Sequence, residues 1–134
     1  MTSNIKTILY VDDDPDDLAM LRDAIEATDT DYQIVEAFDG VHALELLEQM
    51  KTSGDLPCLI VLDINMPRMD GKQTLVAIQN NPALAAIPIV LFSTSSSRLD
   101  KTFSEAKNVE LLTKPLEFNQ LHRIASRLLS YCRA

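Results

Sequence analysis

Five side chains in this sequence could do chemistry together. Asp12 and Asp13 are adjacent acids, and Asp63 closes the apolar run Cys58-Leu59-Ile60-Val61-Leu62. Ser93 and Lys114 each follow a further apolar run. Three carboxylates with nearby loop carbonyls make an all-oxygen donor set suited to Mg²⁺ or Mn²⁺. A hydroxyl and an ammonium beside a metal-bound carboxylate are what phosphoryl transfer needs, because catalysis there is mostly positioning and charge stabilisation. The carboxylate can also be the nucleophile, which gives an aspartyl phosphate. Taken singly, Asp63 reads as readily as a mere strand end or helix cap as it does as a site residue. Two adjacent carboxylates at a buried strand end repel by ~4 kcal/mol at close range and intermediate dielectric. A cation should therefore sit beside Asp12 and Asp13.

The elements that carry these residues are legible in the apolar pattern. Cys58 to Leu62 is an unbroken apolar run, which reads as a strand buried on both faces in the middle of a parallel sheet. Thr7–Val11 and Ile87–Phe92 read the same way, and these three strands should be central. Tyr32–Phe38 is more mixed, as an outer strand would be, and Val109–Leu112 is the fifth. Between them lie helical patterns. Pro15 suits a first helical position with Asp14 as its cap, and Leu18, Leu21 and Ile25 share one face. Asp39-Gly40 opens a helix with Ala43, Leu44, Leu47 and Met50, closed by Gly54. After Gly71, Leu75 and Ile78 mark a helix to about Asn80. Ser96 or Ser97 caps a fourth, whose inner face would be Leu99, Phe103 and Ala106. The last carries Phe118, Leu121, Ala125, Leu128 and Cys132, with Ile124 and Leu129 widening the stripe. Strands alternating with helices imply an α/β fold, with a parallel sheet, helices on both faces and right-handed crossovers. Ligand sites in such sheets lie beyond the carboxyl ends of the strands. Asp12, Asp13, Asp63, Ser93 and Lys114 all stand at those ends.

The 134 residues suit one domain with a real core, and 46% are hydrophobic, which excludes disorder. A net charge of −8 argues against a nucleic-acid surface, since phosphate would be repelled. No apolar N-terminal stretch reads as a signal peptide and no run approaches membrane-spanning length. Cys58 and Cys132 read as reduced thiols of a cytoplasmic protein. His42 and His122 lack ligand spacing and read as surface residues.

These residues together resemble the receiver domain of two-component response regulators. The resemblance rests on Asp12-Asp13, on Asp63 within Leu-Asp-Ile-Asn-Met-Pro-Arg-Met-Asp-Gly, on Ser93 and on Lys114-Pro115. It covers nearly the whole chain. It implies a doubly wound, five-stranded (βα)5 flavodoxin-like sheet in the order 2-1-3-4-5. It also implies that Asp63 accepts phosphate from the phosphohistidine of a sensor histidine kinase. Asp13, Asp63 and the backbone carbonyl of Asn65 would bind Mg²⁺ or Mn²⁺ directly, and Asp12 through water. Lys114 would pair with Asp63 and then with the phosphoryl group, and the Ser93 hydroxyl would swing toward it. Pro115 would follow a cis bond. Asn65 and Ser95 would tune dephosphorylation. The stretch Asn81–Pro88 resembles single-domain receivers that serve phytochrome-type kinases. The chain would then be one receiver domain over residues 1–134, with no output domain. It would catalyse only its own phosphorylation and dephosphorylation, and would act on a target protein.

Four residues depart from the pattern. Leu111 stands where an aromatic switch residue is usual, Thr94 where a small residue is, and Lys107-Asn108 where Gly-Ala is. Signalling by an aromatic ring flip is therefore not expected. A phosphorelay intermediate, passing phosphate to a histidine phosphotransfer protein, or a phosphate sink would use the same site. A Mg²⁺-dependent phosphohydrolase with an Asp nucleophile usually has a second acid where Asn65 stands, and a cap domain. A flavin mononucleotide binder needs a Ser, Thr and Gly cradle where this chain has three aspartates.

Overall fold

A computed structural model describes residues 5–94, 97–115 and 120–133. The chain runs β1 (Lys6–Val11), α1 (Pro15–Thr28), β2 (Tyr32–Ala37), α2 (Gly40–Ser53) and β3 (Leu59–Asp63), then α3 (Gly71–Gln79), β4 (Ile89–Ser93), α4 (Arg98–Ala106), β5 (Glu110–Thr113) and α5 (Leu121–Arg133). All strand pairs are parallel, in the order β2-β1-β3-β4-β5. The expected architecture is the observed one. Every residue of β3 and β4 is buried, and β1 is buried from Ile8 onward, so the three most apolar runs are the three inner strands. The chain turns back across the sheet between β1 and β3, and this reversal opens a crevice beyond their carboxyl ends.

Helices cover both faces. One core layer joins Ile8, Tyr10, Val61 and Phe92 to α1 and α5; the other joins Leu9, Val11, Ile60 and Leu62 to α2 and α3. The caps are local chemistry. Asp14 accepts from the N–H groups of Asp16 and Asp17, with Pro15 opening α1. Gly54 closes α2 in the left-handed region at φ 80. Asp70 and Gln73 form a reciprocal capping box on α3, and Ser97 caps α4.

Three expectations are corrected. Leu99 is not on the inner face of α4; it is 78% exposed, and Ala106 is exposed as well. The buried residues of α4 are Asp100 and Ser104, with Phe103 half-buried. Lys72 on α3 supplies the reason, pairing with Asp100 at 2.8 Å while lying over the Phe103 ring. Cys58 and Cys132 are not separate thiols. α5 packs its last turn over the start of β3, and the two are joined as a disulfide across 74 residues. The Lys114–Pro115 bond is trans, since no cis peptide bond occurs among the described residues; trans is the preferred isomer by about 0.5–1 kcal/mol. Phe118, Ser95 and Ser96 lie outside the described residues.

Candidate functional site

Asp12 is the first residue after β1. Its backbone N–H donates to the carbonyl of Ala37, so the pairing with β2 continues one step past β1. Its side chain is fully buried and fully engaged. The Tyr10 hydroxyl donates to Oδ2 at 2.6 Å, the Asp14 N–H donates to Oδ1 at 2.9 Å, and Lys114 Nζ donates to Oδ2 at 2.7 Å. Tyr10 stands two residues before Asp12, the spacing that puts two strand side chains on one face. Burial, and then the charge of Asp12, hold the Tyr10 hydroxyl well above the ordinary phenol range, so it stays a donor.

Asp63 ends β3 and is 6% exposed, while Asp13 is exposed at the mouth. Ligand oxygens of Asp12, Asp13 and Asp63 all lie within 4.8 Å of one another. Burial, and then the charge of Asp12, push the Asp63 carboxyl up to about 7, against the opposing pull of Lys114 and the Asn65 N–H. Asn65 follows in the loop, its N–H 3.4 Å from Asp63 Oδ1. The sequence-based demand for a cation is met by Lys114, which follows β5. Its Nζ sits 2.7 Å from Asp12, 2.8 Å from Asp17 and 3.5 Å from Asp63. Burial lowers the affinity of Lys114 for its proton, but the hydrogen bonds to Asp12 and Asp17 outweigh this and carry it above the ordinary range. Lys114 is thus held mainly by Asp12 and Asp17, and more loosely by the Asp63 partner expected from the sequence. Asp17 was not singled out from the sequence; its position in the first turn of α1, one turn from a buried strand end, is the signal that could have found it. Ser93 ends β4, fully buried, and its carbonyl accepts from the Lys114 N–H at 2.7 Å.

The β3–α3 loop is pinned at two points. Arg68 takes a left-handed φ of 62 and forms a two-pronged ion pair with Asp39, the cap of α2, at 2.7 and 3.0 Å. Gly71 presses on the strand end, where a Cβ would meet the Asp63 carbonyl oxygen at 2.3 Å. Only glycine fits that approach. Gly71→Ala should destabilise the protein by about 2–4 kcal/mol, in the range of an overpacked core. Urea unfolding measures it, and a loss below about 0.5 kcal/mol would contradict the close approach.

The fit of a divalent ion can be judged on these residues. Three carboxylate oxygens within one ion's reach form a hard donor set of the kind Mg²⁺ and Mn²⁺ prefer. Among the described residues no helix is long and apolar enough to cross a membrane.

Comparison with known proteins agrees with this geometry. The family model for the response regulator receiver domain matches residues 8–126. Response regulator Rcp1 of Synechocystis sp. is 30% identical over 129 residues, covering 94% of this chain and 88% of its own. Among solved structures, the phosphorylated cyanobacterial phytochrome response regulator RcpA superposes with a TM-score of 0.85 at 30% identity, over 94% of this chain and 92% of that one. The Mn²⁺-bound form of Rcp1 superposes with a TM-score of 0.80 at 29% identity, over 95% and 94% of the two chains. A family match over most of the chain and a relative aligned over nearly its whole length lead to one assignment: this protein belongs to the response regulator receiver domains of two-component systems.

Proposed function

We propose that Asp63 accepts a phosphoryl group from the phosphohistidine of a sensor histidine kinase, and that the phosphorylated chain signals to a protein partner. One observation carries this reading above the others. The Asp63 carboxylate stands at the end of the central strand with the ligand oxygens of Asp12 and Asp13 within 4.8 Å and the Lys114 ammonium at 3.5 Å. A carboxylate oxygen of Asp63 attacks phosphorus, the phosphorus–nitrogen bond breaks, and the imidazole nitrogen keeps the electron pair. A Mg²⁺ or Mn²⁺ ion held by Asp13, Asp63 and the Asn65 carbonyl, with Asp12 through water, would neutralise charge on the phosphoryl oxygens. Lys114 orients Asp63 and then pairs with the new phosphoryl oxygens. The buried Ser93 hydroxyl turns toward them. The chain acts on its own phosphoryl group and not on a free substrate.

Phytochrome-type kinases are the donor class we favour, because RcpA is a phytochrome response regulator and resembles this chain over nearly its full length. Phosphotransfer profiling against the purified histidine kinases of its own source tests both claims. Rapid labelling by a phytochrome-type kinase is the expected result. Labelling by none of them would overturn the proposal.

Phosphorylation should act on the face made by α4, β5 and α5. The phosphoryl group adds charge beside Ser93 and Lys114, which stand at the ends of β4 and β5. It can move the equilibrium only by its differential contacts, here a new hydroxyl bond and a lysine drawn from Asp17. That supports coupling of ~1–3 kcal/mol. Leu111 is half-buried in β5 and packs on the core, so no ring flip reports the change. Amide chemical-shift mapping with beryllofluoride and Mg²⁺ should show shifts from Ser93 through about Leu99, and Ser93→Ala should abolish them. Shifts confined to α1 and α2 would contradict this route.

A further inference from the structure

The aspartates and Lys114 occupy the carboxyl edge of the sheet, and the opposite edge carries a second reactive pair. Cys58 immediately precedes β3, and Cys132 lies in the last turn of α5. Their Cα atoms are 5.2 Å apart, well inside the span a disulfide bridges, and their sulfurs are bonded. Cys132 is buried in the core layer shared by α1, α5 and the sheet, and Cys58 packs at its margin. Leu128 and Leu129 seat this end of α5 in the core, and Arg127 and Tyr131 both donate to Glu110 on β5. Arg133 reaches Asp29 at 2.7 Å on the exposed surface, and Lys6 Nζ donates to the Cys132 carbonyl at 3.1 Å.

Two features bear on reversal. Cys58 Sγ lies 3.4 Å from the Thr7 carbonyl oxygen, so a reduced Cys58 thiol finds an acceptor where it already stands. Neither redox state strands that sulfur as an unpaired donor. Cys58 also lines an open groove beside Lys6, Thr7, Gln33 and Asp55, which gives a small thiol a path to its sulfur. The Lys6 ammonium in that groove favours the approach of an anionic thiolate.

We propose that Cys58 and Cys132 form a reversible thiol–disulfide lock that fastens the end of α5 to the central strand, with a glutathione-class disulfide as its oxidant. The Cys58 thiolate attacks one sulfur of the oxidant, forming a mixed disulfide and releasing one glutathione thiolate. The Cys132 thiolate then attacks the Cys58 sulfur, forming the Sγ–Sγ bond and releasing the second. The protein loses two protons and two electrons, and the oxidant becomes two thiols. Reduction runs through the same steps, entering at Cys58 from the groove. α5 spans the fold. Leu121 at its start lines a cleft with Lys114 and Pro115, so the lock grips the far end of the helix that begins beside the phosphorylation site.

The test uses the native chain equilibrated in glutathione buffers from fully reduced to fully oxidised, then trapped with iodoacetamide and weighed. Both thiols should disappear together, leaving a monomer lighter by two hydrogens, and excess dithiol should restore them. Oxidation should raise the melting temperature by on the order of 10 °C, because the bridge closes a long loop. It should slow amide exchange across residues 128–133 by about tenfold or more, since local opening of the last turn is suppressed. Cys58→Ser and Cys132→Ser should each abolish all three responses. Thiols that persist in the oxidising buffer, mixed disulfides only, disulfide-linked dimers, or equal exchange in the two forms would overturn the lock.

Discussion

Asp63→Asn should take up less than about 1% of the label that the unaltered protein takes from a kinase or a small phosphodonor, because the nucleophilic oxygen is gone while the neighbouring hydrogen bonding is kept. Undiminished labelling in this variant would sink the assignment of Asp63. The same substitution should change stability in a pH-dependent way that a bystander residue would not show. In the metal-free protein the Asp63 carboxyl is pushed up to about 7 by burial and by Asp12. The folded state therefore holds this proton more tightly than the unfolded chain does. The stability it contributes is fully present below the ordinary carboxylate pKa and is lost as pH rises to about 7. Asp39 and Glu110 act in the opposite sense. Arg68 holds Asp39 low, and Glu110, though burial raises it, is brought down by Arg127 and Tyr131. Both lose stability only as pH falls below the ordinary range, so the window above pH 5 belongs to Asp63. Asp63→Asn should raise stability at pH 8 by about 2 kcal/mol, once screening at the open mouth is allowed for, with no gain at pH 4. Urea unfolding at the two pH values, without divalent ions, reads this directly. Equal effects at both would show that Asp63 titrates normally in the folded state.

Asp13→Ala should cut Mg²⁺-dependent phosphorylation at least a hundredfold, the largest loss expected from any residue other than the acceptor. Asp13 is exposed, and Asp12 and Asp63 are buried, so the change removes a ligand from the mouth and leaves the strand ends packed. The fold should survive, with a small gain in stability as repulsion between carboxylates is relieved. Chelation of divalent ions should reproduce the loss in the unaltered protein. Mg²⁺ keeps most of its waters and takes few ligands here, so its affinity should be modest, in the millimolar range. Normal labelling in the presence of a chelator would contradict a metal-dependent site.

Much of this protein is written locally in its sequence. Apolar runs around Ile8, Leu59 and Val90 announce the inner strands, because a strand buried on both faces has no polar side to show. Acids that directly follow two of those runs, with Ser93 and Lys114 closing two others, announce which edge carries the site. Pro15, Gly54 and the Asp70-Gln73 box mark helix ends by short-range backbone chemistry. What the sequence left open is which polar groups meet across long separations. Lys114 could have faced Asp63 alone; in the packed fold its ammonium lies nearer to Asp12 and Asp17 than to Asp63. On α4 the apolar spacing pointed Leu99 inward, whereas Asp100, paired with Lys72 of α3, is the buried residue and Leu99 faces outward. Cys58 and Cys132 are each a plausible buried thiol. Only the seating of α5 over the start of β3 brings them within bonding reach. Periodicity and caps depend on neighbours within a turn or a strand, so one chain can encode them. Ion pairs and bridges depend on the distance between elements, and that distance exists only in the packed fold.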